Sequence, residues 1–410
     1  MPAEARGPER AGGRESEEND MRERYKKLIL ALVTGCHWFS LYAFSPYFTP
    51  YMEKLGSAAS LIGFAVGLYG ASQMVLRIPL GITADKIGRQ KIFVSLGLLL
   101  SALGTLIMRV FPTPGAMIAG KILTGASAAT WVVFPLLFSG YFRPEESTKA
   151  IGIINAFNNG GKMLSNIMAG LLVTRFGAPS SFTLAFGAAA LGLVLSFFVT
   201  DMDRSKKREP VKLVELAKVI KNPSLLYACL LAASMQFVVF ATVFGFTANI
   251  ASDLGATSLQ LSYVTFAHSL ASFGVSLIVG TVLVKYIGEK ICMTASFAGF
   301  VIYCLLIPLA GNVWVIVLLQ VIAGLATGIL QTLNMAIAVR TVEPVKKSTA
   351  MGAYQAIYGI GMTVGPIVMG RLVELGGYRP SYFFMAGFSA AGAAVCYLLY
   401  RRMTAAREDA

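Results

Sequence analysis

Gly81-Ile82-Thr83-Ala84-Asp85-Lys86-Ile87-Gly88-Arg89-Gln90-Lys91 lies between two long apolar runs, 59–83 and 92–111. The stretch is a short charged hinge between two segments of membrane length. Gly81 allows one helix to approach another closely, and Asp85 is an acid at a helix end. Lys86, Arg89 and Lys91 are cations with no room to enter lipid. A cationic loop this short belongs on the cytoplasmic side of a bilayer. The hinge therefore fixes both the fold class and the orientation.

Composition agrees. Hydrophobic residues make up 56% of the chain and charged residues 14%, against about 25% charged in soluble domains. Mean hydropathy is +0.66. No alternation of about ten residues suggests a membrane β-barrel. The net charge of +14 would suit a nucleic-acid partner if the cations formed a patch, but they sit in short loops and tails between apolar runs. The five cysteines, Cys36, Cys229, Cys292, Cys304 and Cys396, fall in or beside apolar runs with irregular spacing. They suggest neither a disulfide framework nor a metal site. Two histidines are too few for a multi-histidine metal centre, and no cofactor is expected.

Crossing about 30 Å of hydrocarbon takes about 20 residues. Twelve runs qualify: 27–50, 59–83, 92–111, 116–141, 149–173, 181–200, 226–251, 259–285, 291–310, 313–340, 349–373 and 381–400. An even number places both termini on one side. The tails and loops on the Asp85 side hold 27 of the 35 Lys and Arg. The other face has Lys54, Arg109, Arg175, Arg371 and Arg379. That asymmetry predicts cytoplasmic termini. Residues 1–24 lack an apolar signal core and are expected to be a disordered cytoplasmic tail, with a second short tail at 403–410. The charged stretch 201–224 divides the chain into 25–200 and 225–402, six spans each. Within it Leu213, Leu216, Val219 and Ile220 recur at helical spacing among lysines. That pattern suits an amphipathic helix on the inner membrane surface, or a solvated linker helix.

The two halves repeat. Residues 150–182 fall on 350–382 without a gap, matching Ala150/Ala350, Gly152/Gly352, Ala156/Ala356, Gly161/Gly361, Gly170/Gly370 and Gly177/Gly377, and Ile87-Gly88 falls on Ile287-Gly288. Such a repeat suggests two six-helix bundles related by an axis along the membrane normal.

The opening stretch resembles the G-x-x-x-D-R/K-x-G-R-x-R/K loop between helices 2 and 3 of the major facilitator superfamily, through Gly81, Asp85, Lys86, Gly88, Arg89 and Lys91. The resemblance covers about 25–402. It implies an all-α integral membrane fold of twelve transmembrane helices in two pseudo-symmetric bundles, with alternating access driven by a gradient. It also implies that the Asp85-type acid and the loop cations form a relay holding the inner side shut. In the second half Lys285 replaces the acid. Gly361, Gly365, Pro366 and Gly370 in span 11 look like the glycine–proline motif that exporters of the family carry on span 5; here span 5 has Ser165 and Asn166 at the equivalent places. By family analogy the chain works as a monomer.

Ionisable groups inside the spans are few: His37, Arg77, Lys121, Lys162 and His268. None is acidic. Such groups mark functional positions by default. Lys162 lies about 18 Å into span 5 at 1.5 Å per residue. Asn155, Asn159, Lys162 and Asn166 are separated by steps of 4, 3 and 4 and share one helical face. The strip suits an anion-binding wall of a central cavity, or a hydrogen-bonded seam between the halves. Lys121 resembles the site where many family members carry a span-4 arginine, and a snorkelling or gate role competes. Arg77 suits substrate contact or interhelical packing. His37 and His268 are the candidate proton carriers, with neutral interhelical hydrogen bonding as the alternative. Tyr42, Tyr358 and Gln355 are candidate cavity residues, beside Trp38, Tyr47, Tyr354, Gln236, Asn249, Gln331 and Asn334.

No enzyme pattern is present: Gly160-Gly161-Lys162 is followed by Met163 and is not a phosphate loop. The expected function is secondary transport of a small organic anion across a bacterial inner membrane, with protons as the candidate coupling ion. The alternatives are export of a drug-like or lipophilic compound, and a non-transporting sensor or scaffold on the same fold.

Overall fold

The computed structural model describes residues 9–143, 146–201, 222–340, 342 and 347–405. The expected amphipathic helix of the central stretch lies outside them, and so does the side chain of Asp85. The described residues contain helices and no strand. The membrane helices of the first half are α1 (Glu9–Tyr42, resumed as Ser45–Lys54), α2 (Ala59–Ile87), α3 (Gln90–Val110), α4 (Pro114–Ala129, then Val133–Ser139), α5 (Ser147–Phe176) and α6 (Pro179–Ser196). Those of the second half are α7 (Pro223–Ala241, resumed as Thr247–Asp253), α8 (Ser258–Ile278, resumed as Val284–Ile287), α9 (Glu289–Leu306), α10 (Val313–Arg340), α11 (Lys347–Gly376) and α12 (Tyr378–Ala405).

Eleven of these are long and apolar enough to cross a bilayer. The exception is α5, which has the length, at 30 residues, but carries the asparagine–lysine strip. Helix ends follow local chemistry. Thr113 accepts from Ala116 N at the start of α4, Asn222 accepts from Ser224 N and Leu225 N at the start of α7, and Thr257 and Gln260 form a capping box on α8. The tail expected to be disordered over 1–24 is helical from Glu9.

The repeat is visible in the backbone. Glycines with positive φ occur at Gly88 and Gly288, and at Gly177 and Gly377, each pair 200 residues apart. Helix irregularities recur at the same spacing. The break in α1 after Tyr42 corresponds to a π turn over Thr242–Phe246, and Pro79 inside α2 corresponds to a π turn over Val279–Leu283. Packing partners match as well: α1 on α5 and α7 on α11, α2 on α4 and α8 on α10, α3 on α6 and α9 on α12. Six helices therefore form one bundle and six form its pseudo-symmetric copy.

Small residues set the approach within and between bundles. A Cβ on Gly161 would overlap the Gly35 carbonyl, and one on Gly361 would overlap the Ala233 carbonyl. These are the α1–α5 and α7–α11 contacts. Between bundles, α2 runs along α11. Gly63 lies on Pro366 and Gly370, Gly67 on Thr363, Gly70 on Met362, and Gly359 on Met74. Gly170 of α5 meets Ser262 of α8. Tyr47 donates to Ser258 O at 2.9 Å and pairs with Ser262 Oγ at 2.6 Å. Asn249 donates to Glu53, and Tyr378 hydrogen-bonds the same carboxylate.

The contacts between bundles lie in the membrane half away from the termini, reaching mid-membrane at Gly70–Met362 and Gly359–Met74. Toward the terminus face, a Cβ on Gly81, Gly152 or Gly280 would meet nothing within 4 Å. The bundles thus close on the face opposite the termini and part toward the face that carries them. Gly81, expected to permit close helix packing, has open space around it in this state.

The charged hinge works inside the first bundle. Gly88, at φ 64°, ends α2 in the left-handed conformation. Lys91 N donates to Asp201 Oδ1 at 2.8 Å, and Lys91 Nζ donates to Phe197 O at 2.6 Å. Lys91 therefore caps the end of α6 rather than reaching the other bundle, while Lys86 and Arg89 are exposed. The second bundle has its own tie, Arg340 to Glu289 at 2.5 Å.

Candidate functional site

The polar face of α5 stays accessible in mid-span, with Asn155 exposed and Asn159 and Lys162 half-buried, which marks a central cavity between the bundles where α1, α2, α5, α7, α8 and α11 meet. On α5 the polar strip and the lipid face are opposite. Leu164, Met168 and Leu171 are exposed apolar side chains, about half a turn from Asn155, Asn159, Lys162 and Asn166. The Gly161–Gly35 contact draws α1 against α5, and Lys162 Nζ comes to rest 4.2 Å from the Trp38 ring centroid and 5.0 Å from that of Tyr42. These cation–π contacts hold the ammonium on neutral surfaces. No carboxylate pairs with it among the described residues. One turn away, Asn166 is fully buried with neither amide atom bonded. Asn159 Nδ2 donates to the Asn155 carbonyl at 2.9 Å.

Arg77 completes a second polar group at the α2–α11 junction. Its Nη1 donates to Tyr358 Oη at 2.7 Å and its Nη2 to Gln73 Oε1 at 2.8 Å. Both partners are neutral, Nε has no protein partner, and the side chain is 5% exposed. Tyr69 hydrogen-bonds Gln73, and Tyr354 stands edge-on to Tyr358 at 5.4 Å. Gln355 is half-buried on α11, three residues before Tyr358.

The remaining candidates separate. Lys121 lies toward the closed face, 4.2 Å from the Phe48 centroid, 5.0 Å from Phe44 and 5.4 Å from Tyr69. It occupies an aromatic cage of its own. His37 is fully buried behind Trp38, against Phe134 at 4.9 Å, with neither ring nitrogen bonded. It points into the first bundle. His268 lies across the cavity on α8. Its Nε2 pairs with Thr327 Oγ1 at 3.1 Å, its Nδ1 has no partner, and the Lys162 ammonium is within Coulombic reach. The structure therefore brings together Lys162, Trp38, Tyr42, Asn166 and His268, and separately Arg77, Gln73 and Tyr358.

Sequence reasoning missed Gln73, Tyr69, Trp131, Phe240 and Phe244. Gln73 precedes Arg77 by one helical turn, a spacing that could have flagged it. The aromatic residues carried no distinguishing signal among ordinary packing residues.

Two related six-helix bundles around a polar central cavity are the architecture of a secondary transporter. The sequence matches the Major Facilitator Superfamily over residues 30–249 and 237–410, and the chain belongs to that superfamily. It is similar to the inner membrane transport protein YajR of Escherichia coli, 24% identical over 378 residues, spanning 90% of this chain and 81% of that protein. It is also similar to the multi-drug resistance efflux pump PmrA of Streptococcus pneumoniae, 24% identical over 350 residues, spanning 82% and 86%. Among solved structures, a bacterial homolog of the human lysosomal transporter Spinster, in an inward-facing and unoccupied conformation, superposes with a TM-score of 0.76. It is 14% identical and covers 93% of this chain and 97% of that one.

Proposed function

We propose that this transporter moves an organic anion by alternating access, with Lys162 as the charge that receives it. The observation that carries the reading is the Lys162 ammonium in the central cavity, resting on Trp38 and Tyr42 with no acid beside it among the described residues. Arg77, bonded only to neutral groups, supplies a second positive charge. A cation in the same cavity would meet repulsion in a low dielectric and gain no partner. Asn155 and Asn159, exposed and half-buried on the same face of α5, are placed to serve the polar remainder of the solute.

Coupling to protons fits at His268. A proton on its ring and the Lys162 ammonium repel each other, and an anion bound between the bundles offsets both charges. Binding of anion and proton then favour each other reciprocally, which is symport. The cation asymmetry of the loops supports cytoplasmic termini in a bacterial inner membrane, with the cavity open to the cytoplasm in this state. The monomer suffices, since the whole cavity is built by one chain.

Export of a lipophilic compound is the second reading, favoured by the likeness to PmrA and by the aromatic walls. Proteoliposome transport separates the two. Labelled organic anions, neutral sugars and cationic dyes would be offered with and without a pH gradient, to the wild type and to Lys162→Ala. Saturable anion transport that is lost in the variant supports the proposal. Movement of cationic or neutral compounds alone, or anion transport indifferent to Lys162, would overturn it in favour of the exporter.

A further inference from the structure

The floor of the cavity is a continuous row of rings drawn from both bundles. Trp131 lies 5.3 Å from Trp38, and Trp38 lies 6.0 Å from Tyr42. Tyr42 meets Phe244 edge-on at 5.9 Å, Phe244 lies 5.3 Å from Phe240, and Phe240 stacks on Tyr69 at 6.2 Å. The row crosses between bundles twice, at Tyr42–Phe244 and at Tyr69–Phe240. Trp131, Tyr42 and Phe244 remain half-buried although they stand in the middle of the helical assembly. Their uncovered surface therefore faces the cavity.

We infer that the transported anion carries a flat aromatic ring, which lies on this floor while its charge meets Lys162; the inference rests on the anion reading above. Three features select an aromatic acid over an aliphatic one. First, the ammonium sits directly over ring faces, so a ligand whose charge and ring are joined by a short link satisfies both at once. A small aliphatic acid would reach the charge and leave the rings uncovered. Second, aromatic contacts in offset or edge geometry add stabilisation beyond the area they bury, and the floor offers such geometry from each bundle. Third, Trp38 Nε1 and Gln73 Nε2, just behind the floor, are buried N–H donors without a protein partner, a costly state that a small shift of either side chain toward acceptor oxygens on the ring would relieve. A ligand on this floor also touches both bundles at the contacts that must part when the cavity opens to the opposite face.

The test uses the full-length purified chain and paired probes. Aromatic carboxylates, benzoate and naphthalene-2-carboxylate among them, are titrated beside their saturated ring counterparts by calorimetry. The chain has three tryptophans, and Trp314 lies on the lipid side against Tyr263. The Trp314→Phe protein therefore reports only Trp38 and Trp131 by emission. The expected result is binding of the aromatic member about threefold to tenfold tighter than its saturated partner, with an emission change. Phe244→Leu should erase the preference, and Lys162→Gln should weaken both members. Equal affinity within every pair, with dependence on Lys162 retained, overturns the aromatic inference and leaves the anion reading intact. Binding of the matching aryl-ammonium compounds in place of the acids overturns both. Absence of binding by any aromatic acid overturns the inference as well.

Discussion

Arg77 and Tyr358 are joined across the two bundles by a 2.7 Å hydrogen bond, at the point where the α2–α11 contact gives way to open space at Gly81. The guanidinium also holds Gln73, so α2 and α11 are tied by a fork with one prong in each bundle. A hydrogen bond to a charged group contributes about 1.5–3 kcal/mol when buried. Tyr358→Phe should therefore lower transport efficiency about tenfold or more while leaving the folded fraction unchanged in size-exclusion chromatography. Arg77→Lys should do no better, because the ammonium lacks the planar fork whose two Nη groups reach Tyr358 and Gln73 separately.

Closure of the opposite face rests on a small number of side chains. Tyr47 reaches Ser258 and Ser262, and Glu53 receives Asn249 and Tyr378. Spin labels at Lys54→Cys and Leu254→Cys, both exposed at the ends of α1 and α7, would report this closure as a distance. Tyr47→Phe and Glu53→Ala should each add a longer component to that distance. For the exposed Glu53 the shift is expected to be about fivefold in population, since ~1 kcal/mol corresponds to that ratio. Glu53→Gln keeps an acceptor for Asn249 and should behave closer to wild type.

Gly63 tests the same closure sterically. A Cβ there would overlap the Pro366 carbonyl. Forced overpacking costs about 1–3 kcal/mol, and here the cost falls on the closed arrangement alone. Gly63→Val should widen the Lys54–Leu254 label distance. It should lower the melting temperature less than Gly361→Val, whose overlap with Ala233 lies inside one bundle. Equal destabilisation by both, with no change in distance, would remove Gly63 from the gate.

The loop motif separates what the sequence can show from what it cannot. Gly81 to Lys91 announced two helices joined by a charged hinge, and the 200-residue repeat announced two like bundles. Both depend on patterns local to the chain or repeated along it. The polar strip of α5 was legible too, because helical spacing alone places Asn155, Asn159, Lys162 and Asn166 on one face. The neighbours of each side chain were not legible. Lys91 serves the end of α6 through Asp201 and Phe197, a contact between residues more than a hundred positions apart. His37 is one residue from Trp38, yet it turns inward against Phe134. One step along a helix rotates a side chain by about 100°, and a sequence does not say which direction the cavity lies in. Lys91→Ala follows from this: it should cost thermal stability through the end of α6 without altering the label distance between the bundles.

The two histidines make the sharpest contrast. His268 is paired with Thr327 and faces Phe244 at 5.5 Å, with Lys162 within Coulombic reach and Nδ1 buried without a partner. His37 is sealed between Trp38 and Phe134, with no charged group bonded to it among the described residues. Of the two, only His268 has the Lys162 charge within reach, which suits a group that must respond to the charge of the solute, and the proposed proton carrier is therefore His268. His268→Gln preserves an amide capable of bonding Thr327 but cannot carry a proton. It should leave solute exchange measurable while abolishing the response of uptake to an imposed pH gradient. His37→Leu should retain that response, because an apolar side chain suits its surroundings. A gradient response that survives in His268→Gln and vanishes in His37→Leu would reverse the assignment and place proton movement inside the first bundle.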